Sequence, residues 1–379
     1  LASSAASDVY KRQLIFHDFD PANGISKKIQ SQIRALQANG LETDLCYLQE
    51  NTFVKRRIVN NQVIADYGTT LKGKIRKRVE YDSITDYVIR QHIDLVYMRS
   101  NHNANPFTIR MLRRMKKAGT RVVMEIPTYP YDQEYIEPFM KAELFIDRCF
   151  RKRMARFLEA IVTFSDYKII FGVPTIQISN GIDFAEIPLK THLNDTTHEL
   201  HLIGVAEIHY WHGYDRLIRG LAVYYEHPQT YKIYFHIVGE MSGQREQDEI
   251  LPLIATYHLE PYIIFHGKQS GQTLDQVFNQ CDFGIGSLGR HRSGIDKIKT
   301  LKNREYAARG IPFIYSETDE DFEQMPYVLK APADESPIDI KKMIDFHSTL
   351  EMSPQEIRDS VSSLSWKEQM RKVIQQIFT

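Results

Sequence analysis

The 379-residue sequence is poor in cysteine and has no long apolar run. Its three cysteines, Cys46, Cys149 and Cys281, are too far apart for a metal or redox motif, which predicts a reducing compartment such as the cytosol. No run of about 20 apolar residues is present, so a membrane-spanning helix is not expected. The fourteen histidines lack H-x-x-x-H and H-E-x-x-H spacing, which argues against a zinc site.

The composition, with 42% hydrophobic and 25% charged residues, is typical of a soluble globular protein and excludes collagen-like, disordered and disulfide-scaffold classes. The length favours two domains. The net charge is zero, yet residues 14–183 hold 26 basic and 19 acidic residues, whereas residues 184–379 hold 20 and 28. This uneven charge indicates that the two halves meet different partners.

Residues 1–12, LASSAASDVYKR, are small and polar and show neither a strand nor a helix period. They lack the apolar core of a signal peptide, so secretion is not expected. We expect this segment to be a non-native or disordered leader and the fold to begin at Gln13.

The first half alternates short apolar strands with helical patterns. The sequence predicts strands at 14–17, 41–48, 93–98, 121–126, 160–165 and 175–179, with helices at 26–38 and 106–117. Strands without polar alternation that are separated by helices are typical of a parallel sheet covered on both faces. We therefore predict a doubly wound, Rossmann-like domain over residues 13–183.

The same alternation of apolar strands and helices begins again near residue 199. Strands are predicted at 200–206, 231–239, 262–266, 283–286 and 312–315, with helices at 215–225, 273–280 and 301–309. We predict a second Rossmann-like domain over residues 184–352, followed by helices at 353–379 that pack back on the first domain through an apolar stripe. Two such domains favour a ligand in a cleft between them, at the carboxyl ends of both sheets.

The most informative string is LKNREYAARGIP, from Leu301 to Pro312. It places Lys302 and Glu305 one turn apart on a helix that ends at Gly310. An ammonium group can bind a phosphate, and a carboxylate can accept hydrogen bonds from two sugar hydroxyls. A surface Lys–Glu pair on an amphipathic helix is the alternative.

This string, K-x-x-E-Y-x-A-x-G-x-P before a strand, resembles the donor-site signature of the family-4 retaining glycosyltransferases, which have the GT-B fold. Further segments resemble the motifs of that family in the same order: Asn23–Ser26, Ser179–Asp183, Gly204–Ala206, His212–Ile218, Phe235–Gly239 and Phe265–Gly267. The resemblance implies an α/β protein of two Rossmann-like domains that face a cleft, with a C-terminal helix returning to the first domain.

The sequence departs from the family at three positions. Lys297 stands where the family has the first of two glutamates, and Ala206 and His212 stand where it has the Arg and Lys that bind the donor diphosphate. The resemblance places Glu305 on the nucleotide ribose, and we expect Glu305 and Lys302 to be the catalytic residues.

Further residues are predicted to bind the donor. Gly289 and Arg290 lie in a glycine-rich loop whose N–H groups can approach phosphate oxygens, and Gly24 precedes a helix N-terminus that favours anions. A plain flexible loop and a simple turn are the alternatives. The predicted donor-binding set is Asn23, Gly24, His212, Arg216, Lys268, Gly289, Arg290, Lys302 and Glu305.

The acceptor is predicted to contact the turn EIPTYPYDQE and the end of the strand before it. The candidates are Arg99, Glu125, Tyr129 and Asp132, which offer stacking and hydrogen bonds; a rigid proline-rich turn is the alternative. Asp18-Phe19-Asp20 has the form of a D-x-D metal clamp, but two aspartates after a strand are usual in turns. No metal and no cofactor are expected.

Three basic clusters, Lys72–Arg78, Arg110–Lys117 and Arg148–Arg156, hold five Lys or Arg residues each. They are either solvated helix faces or a surface for an anionic membrane, where each charge contributes about 1 kcal/mol. No recognised nucleic-acid module is visible, so no nucleic acid is expected as a partner.

These observations predict a bacterial, cytoplasmic glycosyltransferase of the hexosyltransferase class, peripheral at the inner membrane face. It is expected to move a sugar from a nucleoside-diphosphate sugar to a glycan or lipid-linked acceptor in cell-surface polysaccharide synthesis without a metal, and the resemblance to the family implies retention. The alternatives are a catalytically degenerate GT-B protein that binds sugar nucleotides, and a GT-B nucleotide-sugar epimerase.

Overall fold

The structure, a computed structural model, describes residues 10–14, 24–50, 54–100, 104–132, 135, 138–241 and 243–378. The chain divides into two compact units. Unit 1 consists of Leu1–Ser179 together with Trp366–Thr379, and unit 2 consists of Asn180–Ser365. Among the described residues, no helix has both the length and the apolar character needed to cross a bilayer.

Unit 1 is built on a nine-stranded sheet of order β4-β3-β2-β1-β5-β6-β7-β9-β8. The strands are β1 (Tyr10–Leu14), β2 (Glu42–Glu50), β3 (Lys55–Val59), β4 (Gln62–Asp66), β5 (Leu95–Arg99), β6 (Arg121–Ile126), β7 (Ala160–Thr163), β8 (Ile169–Ile170) and β9 (Val173–Gln177). The central strands are parallel, as predicted, whereas β3 and β4 form an antiparallel hairpin at one edge and β8 is antiparallel at the other.

Unit 2 has a six-stranded, fully parallel sheet. The strands are β10 (Glu199–Val205), β11 (Lys232–Val238), β12 (Ile263–Gly267), β13 (Phe283–Ile285), β14 (Phe313–Tyr315) and β15 (Val328–Lys330). Their order, β12-β11-β10-β13-β14-β15, is that of a Rossmann domain. The strand order reverses between β10 and β13, and ligands of such sheets bind in the crevice beside the carboxyl ends of the strands at this point.

The described part of the chain contains twelve α-helices. They are α1 (Gly24–Ala38), α2 (Leu71–Val79), α3 (Asp82–Arg90), α4 (Pro106–Lys117), α5 (Pro138–Ala155), α6 (Tyr214–Tyr224), α7 (Gln244–Thr256), α8 (Gln272–Asn279), α9 (Leu301–Arg309), α10 (Ile340–Ser348), α11 (Pro354–Ser360) and α12 (Trp366–Phe378). The bounds of α4 follow from local chemistry: the Asn105 side chain accepts hydrogen bonds from two N–H groups of the first turn, and Pro106 occupies the first helical position.

The C-terminal helix α12 lies on unit 1, as predicted. Its residues Trp366, Met370, Val373 and Ile377 recur at helical spacing and are buried in one cluster with Leu36 of α1. Burial of side chains of this size contributes about 1.5–3 kcal/mol each. The helix is therefore an integral part of unit 1, although about 190 residues of unit 2 separate it in sequence from the rest of that unit.

Two expectations about boundaries are corrected. The first strand begins at Tyr10, which pairs with Glu42 of β2, so the last residues assigned to the leader belong to the sheet; residues 1–9 lie outside the described residues. Helix α11 lies in unit 2 and not with α12, because Arg358 donates hydrogen bonds to the carbonyls of Phe184 (2.8 Å) and Ile187 (2.9 Å) in that unit.

The hairpin of β3 and β4 was not predicted. It turns at Asn60 and Asn61, whose φ angles of 47° and 65° fit the tight two-residue turns that asparagine tolerates. The Asn-Asn pair was the available signal, but the strand before it, KRRIV, is too basic to be identified from an apolar pattern.

Candidate functional site

The two loops at the strand reversal of unit 2 are joined backbone to backbone. The N–H of Leu288 donates to the carbonyl of His212 (2.9 Å), and that of Gly289 donates to the carbonyl of Trp211 (3.3 Å). Gly213 has a φ of +64°, and a Cβ there would lie 2.6 Å from the Gly289 nitrogen, so only glycine fits. The structure thus places two predicted residues, His212 and Gly289, side by side.

Helix α9 points its N-terminus into the same region. Its N-cap residue, Thr300, makes no side-chain capping bond, and the Thr300 hydroxyl is buried without a partner among the described residues. The first N–H groups of a helix carry a partial positive charge and favour an anion. Lys302, in the first turn, brings a basic side chain to this end of the helix.

Lys302 and Glu317 form an unusual pair of buried charges. The Nζ atom of Lys302 and both carboxylate oxygens of Glu317 are buried, and none has a hydrogen-bond partner within the part of the chain that the structure describes. Burial lowers the pKa of Lys302 to about 7, against the attraction of Glu317. Burial also raises the pKa of Glu317 to about 7, against the attraction of Lys302. The site therefore holds two groups that titrate near neutrality.

Other polar atoms near this pair are buried without partners among the described residues: Tyr214 Oη, Ser287 Oγ and Asn303 Oδ1. The ring of Tyr214 lies 5.9 Å from Lys302 Nζ, and Ser287 directly follows Gly286, at the carboxyl end of β13. Each unsatisfied buried polar group costs about 1–3 kcal/mol, so buried polar groups are nearly always paired. Several unpaired buried polar groups close together therefore indicate a position that a polar ligand or water fills.

Arg290 completes the cationic side of this region. Its guanidinium lies 5.5 Å from the centre of the Trp211 ring. Burial lowers the pKa of His212 well below its usual value, and the positive charges of Lys302 and Arg290 lower it further, so His212 is neutral at pH 7. The structure therefore brings four predicted donor residues together: His212, Gly289, Arg290 and Lys302.

Arg216 has a different place from the one predicted. It is fully buried, and its guanidinium is occupied by the carbonyls of Ser336 (2.8 Å), Pro332 (3.0 Å) and Leu288. It also pairs with the Asp334 carboxylate (3.2 Å), so its guanidinium is bound by groups of unit 2 and supports the loop that carries Gly289.

Lys268 and Glu305 are also apart from the cluster. Lys268 is exposed after β12, the edge strand two places from β10. Glu305 lies one turn beyond Lys302, and its carboxylate accepts from Arg309 (2.9 Å), which also pairs with Asp275 of α8 (2.8 Å). The structure thus gives Glu305 a partner on its own helix, and its predicted contact with ribose remains a prediction.

In unit 1, Glu125 is the centre of a saturated polar cluster. One carboxylate oxygen accepts from Lys28 (3.2 Å) and Arg99 (2.8 Å), and the other from Gln32 (2.7 Å) and Tyr97 (2.6 Å). Burial would raise the pKa of Glu125, but the two cations outweigh it and lower the pKa to about 2. The four acceptor positions of a carboxylate are filled. Glu125 therefore holds Arg99 and Lys28 in place and has no position left for an acceptor.

The remaining acceptor candidates have mixed surroundings. Tyr129 is partly buried, with its ring 4.8 Å from that of Tyr167 in an edge-to-face contact. The Asp132 carboxylate is bound by Arg148 (2.8 Å) and Arg151 (2.8 Å), and these hydrogen bonds lower its pKa although burial opposes them. Of the four candidates, Arg99 lies at the carboxyl end of a central strand, where sites are expected.

Two sets of predicted residues cannot be placed. Asn23 and the segment Asp18-Phe19-Asp20 lie outside the described residues, and Gly24 is the first residue of α1. Among the residues that the structure describes, no group of three His, Cys, Asp or Glu side chains is arranged to hold a metal ion.

Sequence reasoning missed Glu317, Ser287 and Tyr214. It sought a carboxylate at position 297, where Lys297 is exposed and pairs with Glu320 (3.4 Å). The available signal was position: Glu317 and Ser287 each follow a short buried strand by two residues, where a parallel sheet presents its ligand-binding edge.

The chain is similar to solved structures along almost its whole length. A sucrose-phosphate synthase from Thermosynechococcus elongatus matches with a TM-score of 0.66 at 12% identity, covering 98% of this chain and 99% of that chain. Anabaena HepE in complex with UDP matches with a TM-score of 0.61 at 14% identity, covering 97% and 99%. A trehalose-6-phosphate synthase matches with a TM-score of 0.62 at 13% identity, covering 97% and 98%.

The fold is GT-B. This confirms the fold class predicted from the sequence, two Rossmann-like units in one chain. No protein-family model and no curated protein matches the sequence.

Proposed function

We propose that the chain is a glycosyltransferase that binds a nucleoside-diphosphate sugar in unit 2 and transfers the sugar to an acceptor hydroxyl. The observation that carries this proposal is the buried Lys302 ammonium, which has no partner among the described residues and lies at the uncapped N-terminus of α9. HepE, which has a similar fold, is described both in complex with UDP and in complex with UDP-glucose.

The region around the N-terminus of α9 in unit 2 is suited to bind the diphosphate part of the donor. Lys302, Arg290 and the first N–H groups of α9 offer positive charge to a dianion, and His212 adds none because it is neutral. The reaction breaks the bond between the anomeric carbon and the phosphate oxygen, and the leaving diphosphate keeps the electron pair. Positive groups already in place stabilise this developing charge.

The transfer also needs an acceptor hydroxyl, which bonds to the anomeric carbon and passes its proton to the leaving diphosphate. We propose Arg99, with Tyr129, as the acceptor contacts in unit 1, and Glu305 as the ribose contact in unit 2. Retention is supported by the resemblance of the α9 string to the retaining family-4 signature and by a matched trehalose-6-phosphate synthase described with glycosyl transfer with retention. With cations provided by side chains, we propose a reaction without a metal.

We further propose that the acceptor is a glycan on a lipid carrier in bacterial surface polysaccharide synthesis, reached at the cytoplasmic face of an anionic membrane. Helix α2 exposes Leu71 (73% exposed) and Ile75 (58%) beside five Lys and Arg residues. Helix α5 exposes Phe145 (69%), and an ion pair between Arg78 and Glu143 (3.0 Å) joins the two helices. Apolar side chains among basic ones are typical of surfaces that dock on anionic lipid.

Nucleotide binding tests the proposal. A thermal-shift screen with UDP, GDP, ADP and CDP should give a rise in melting temperature for at least one of them, because a ligand bound only by the folded state stabilises it. The matching nucleotide sugar should then release free nucleotide when acceptor is added. Binding without release indicates a degenerate sugar-nucleotide protein, turnover without acceptor indicates an epimerase, and no binding at all contradicts the proposal.

A further inference from the structure

Glu317 is held in a fixed position at the carboxyl edge of the unit 2 sheet. It follows β14 by two residues, and the N–H of Ser316 before it donates to the carbonyl of Ser287 (2.9 Å). The carbonyl of Glu317 accepts from Lys330. The backbone of Glu317 is thus tied to its neighbours on both sides, and the residue is only 3% exposed.

The carboxylate itself is not used by the fold. Neither oxygen has a hydrogen-bond partner on another described residue, and the N–H of Glu317 itself is the backbone group that lowers the pKa of the carboxyl. The charged groups that act on it are Lys302, Arg290 and Asp319, and Asp319 is itself bound by Arg304 (2.6 Å). A buried carboxylate that no other side chain or backbone group binds destabilises a folded protein, so it is expected where its function requires it.

Hydrogen-bond chemistry separates the roles of Glu317 and Lys302. An ionised phosphate only accepts hydrogen bonds, so it matches the Lys302 ammonium and not a carboxylate. Sugar hydroxyls donate hydrogen bonds, so they match the carboxylate. The two groups are close enough to act on each other electrostatically, and together they suit the junction at which a sugar meets its phosphate.

We propose that Glu317 accepts hydrogen bonds from hydroxyl groups of the transferred sugar while Lys302 contacts the adjoining phosphate. This inference rests on the function proposed above and makes Glu317 the residue that distinguishes a nucleotide sugar from a free nucleotide. Ser287 and Asn303, whose side-chain oxygens are also buried without partners among the described residues, line the same region.

The test compares Glu317→Leu and Glu317→Gln with the wild type and with Glu320→Gln, a control at an exposed glutamate three residues away. Calorimetry measures the affinity for UDP against UDP-glucose, GDP against GDP-mannose, and ADP against ADP-glucose. We expect Glu317→Leu to weaken the sugar ester about tenfold or more, the effect of losing hydrogen bonds to a charged group, and the free nucleotide less than about threefold. The affinity of Glu317→Gln for the sugar ester should lie between those of the wild type and of Glu317→Leu, because glutamine keeps one acceptor oxygen.

The melting temperature without ligand provides a second readout. Because the fold does not use the carboxylate, both variants should melt at or above the wild-type temperature. A lower melting temperature in both, or equal losses for sugar ester and free nucleotide, would overturn the inference and leave the proposed function intact. If the wild type binds no nucleotide in any pair, the proposed function fails, and this inference fails with it.

Discussion

Replacement of Lys302 by methionine tests the central site most directly, because the fold and the proposed ligand should respond in opposite directions. The side chain keeps its length and loses its charge. In the folded protein the Nζ atom is buried and has no partner among the described residues. The proposed ligand would provide that partner, in the form of a phosphate oxygen.

The magnitudes follow from these surroundings. A buried polar group without a partner costs about 1–3 kcal/mol, so its removal should stabilise unit 2 by that amount. For a unit of this size, each kcal/mol raises the melting temperature by about 2–4 °C. A hydrogen bond to a charged group contributes about 1.5–3 kcal/mol, so nucleoside-diphosphate affinity should fall about ten- to a hundredfold.

The assay pairs thermal melting without ligand with calorimetric binding of the nucleoside diphosphate that stabilises the wild type most. Lys341→Met is the matched control, since Lys341 is an exposed lysine of the same unit. We expect it to change neither quantity. A Lys302→Met protein that melts lower than the wild type, or that binds the nucleotide as tightly, would refute the assignment of Lys302 to the diphosphate.

Three further predictions concern pH, packing and membrane contact. Between pH 4.5 and 7 the folded protein keeps a proton on Glu317 that the unfolded chain has lost, and between pH 7 and 10.5 it lacks one on Lys302 that the unfolded chain keeps. We therefore expect the free energy of unfolding of the wild type in urea, measured relative to that of a Lys302→Met/Glu317→Leu double variant, to be lowest near pH 7. A maximum near pH 7 would contradict the two pKa shifts. Met370→Ala should cost about 2–5 kcal/mol in the same assay, because this side chain of α12 is fully buried against the rest of unit 1, and a cost below about 1 kcal/mol would contradict the packing. The double variant Leu71→Glu/Ile75→Glu should reduce cosedimentation with phosphatidylglycerol vesicles about tenfold or more, because each apolar side chain buried in the membrane contributes about 1.5–3 kcal/mol. The same loss in a protein altered only at an exposed residue of unit 2 would contradict the assignment of this surface to membrane contact.

The strands and helices that could be predicted are those with a strong local signal. Helix α4 has the predicted bounds because its cap, its first-turn proline and its apolar spacing agree. Strand β15 and helix α7 were not predicted; β15 spans only three residues, and Pro252 interrupts the helical pattern of α7. Signals of this kind depend on neighbours in sequence and fail where a segment is short or mixed.

The candidate site was predictable only in part. Lys302 and Arg290 were identified from charge within a motif and a glycine-rich loop, and the structure brings them together. Arg216, equally basic, turned out to hold a loop, and Glu125 turned out to be saturated by its neighbours. The sequence shows which side chains are charged, but it does not show which groups bind those side chains in the folded protein.

The amino-acid order alone determined the alternation of apolar strands with helices, and hence two sheets of the Rossmann type with a final amphipathic helix. Only the tertiary structure decided that β13 returns beside β10, which sets Ser287, Lys302 and Glu317 around one buried region. Local patterns follow from the backbone period of each segment, which neighbouring residues set. The environment of a side chain follows from residues distant in sequence, so it exists only once the sheet has assembled.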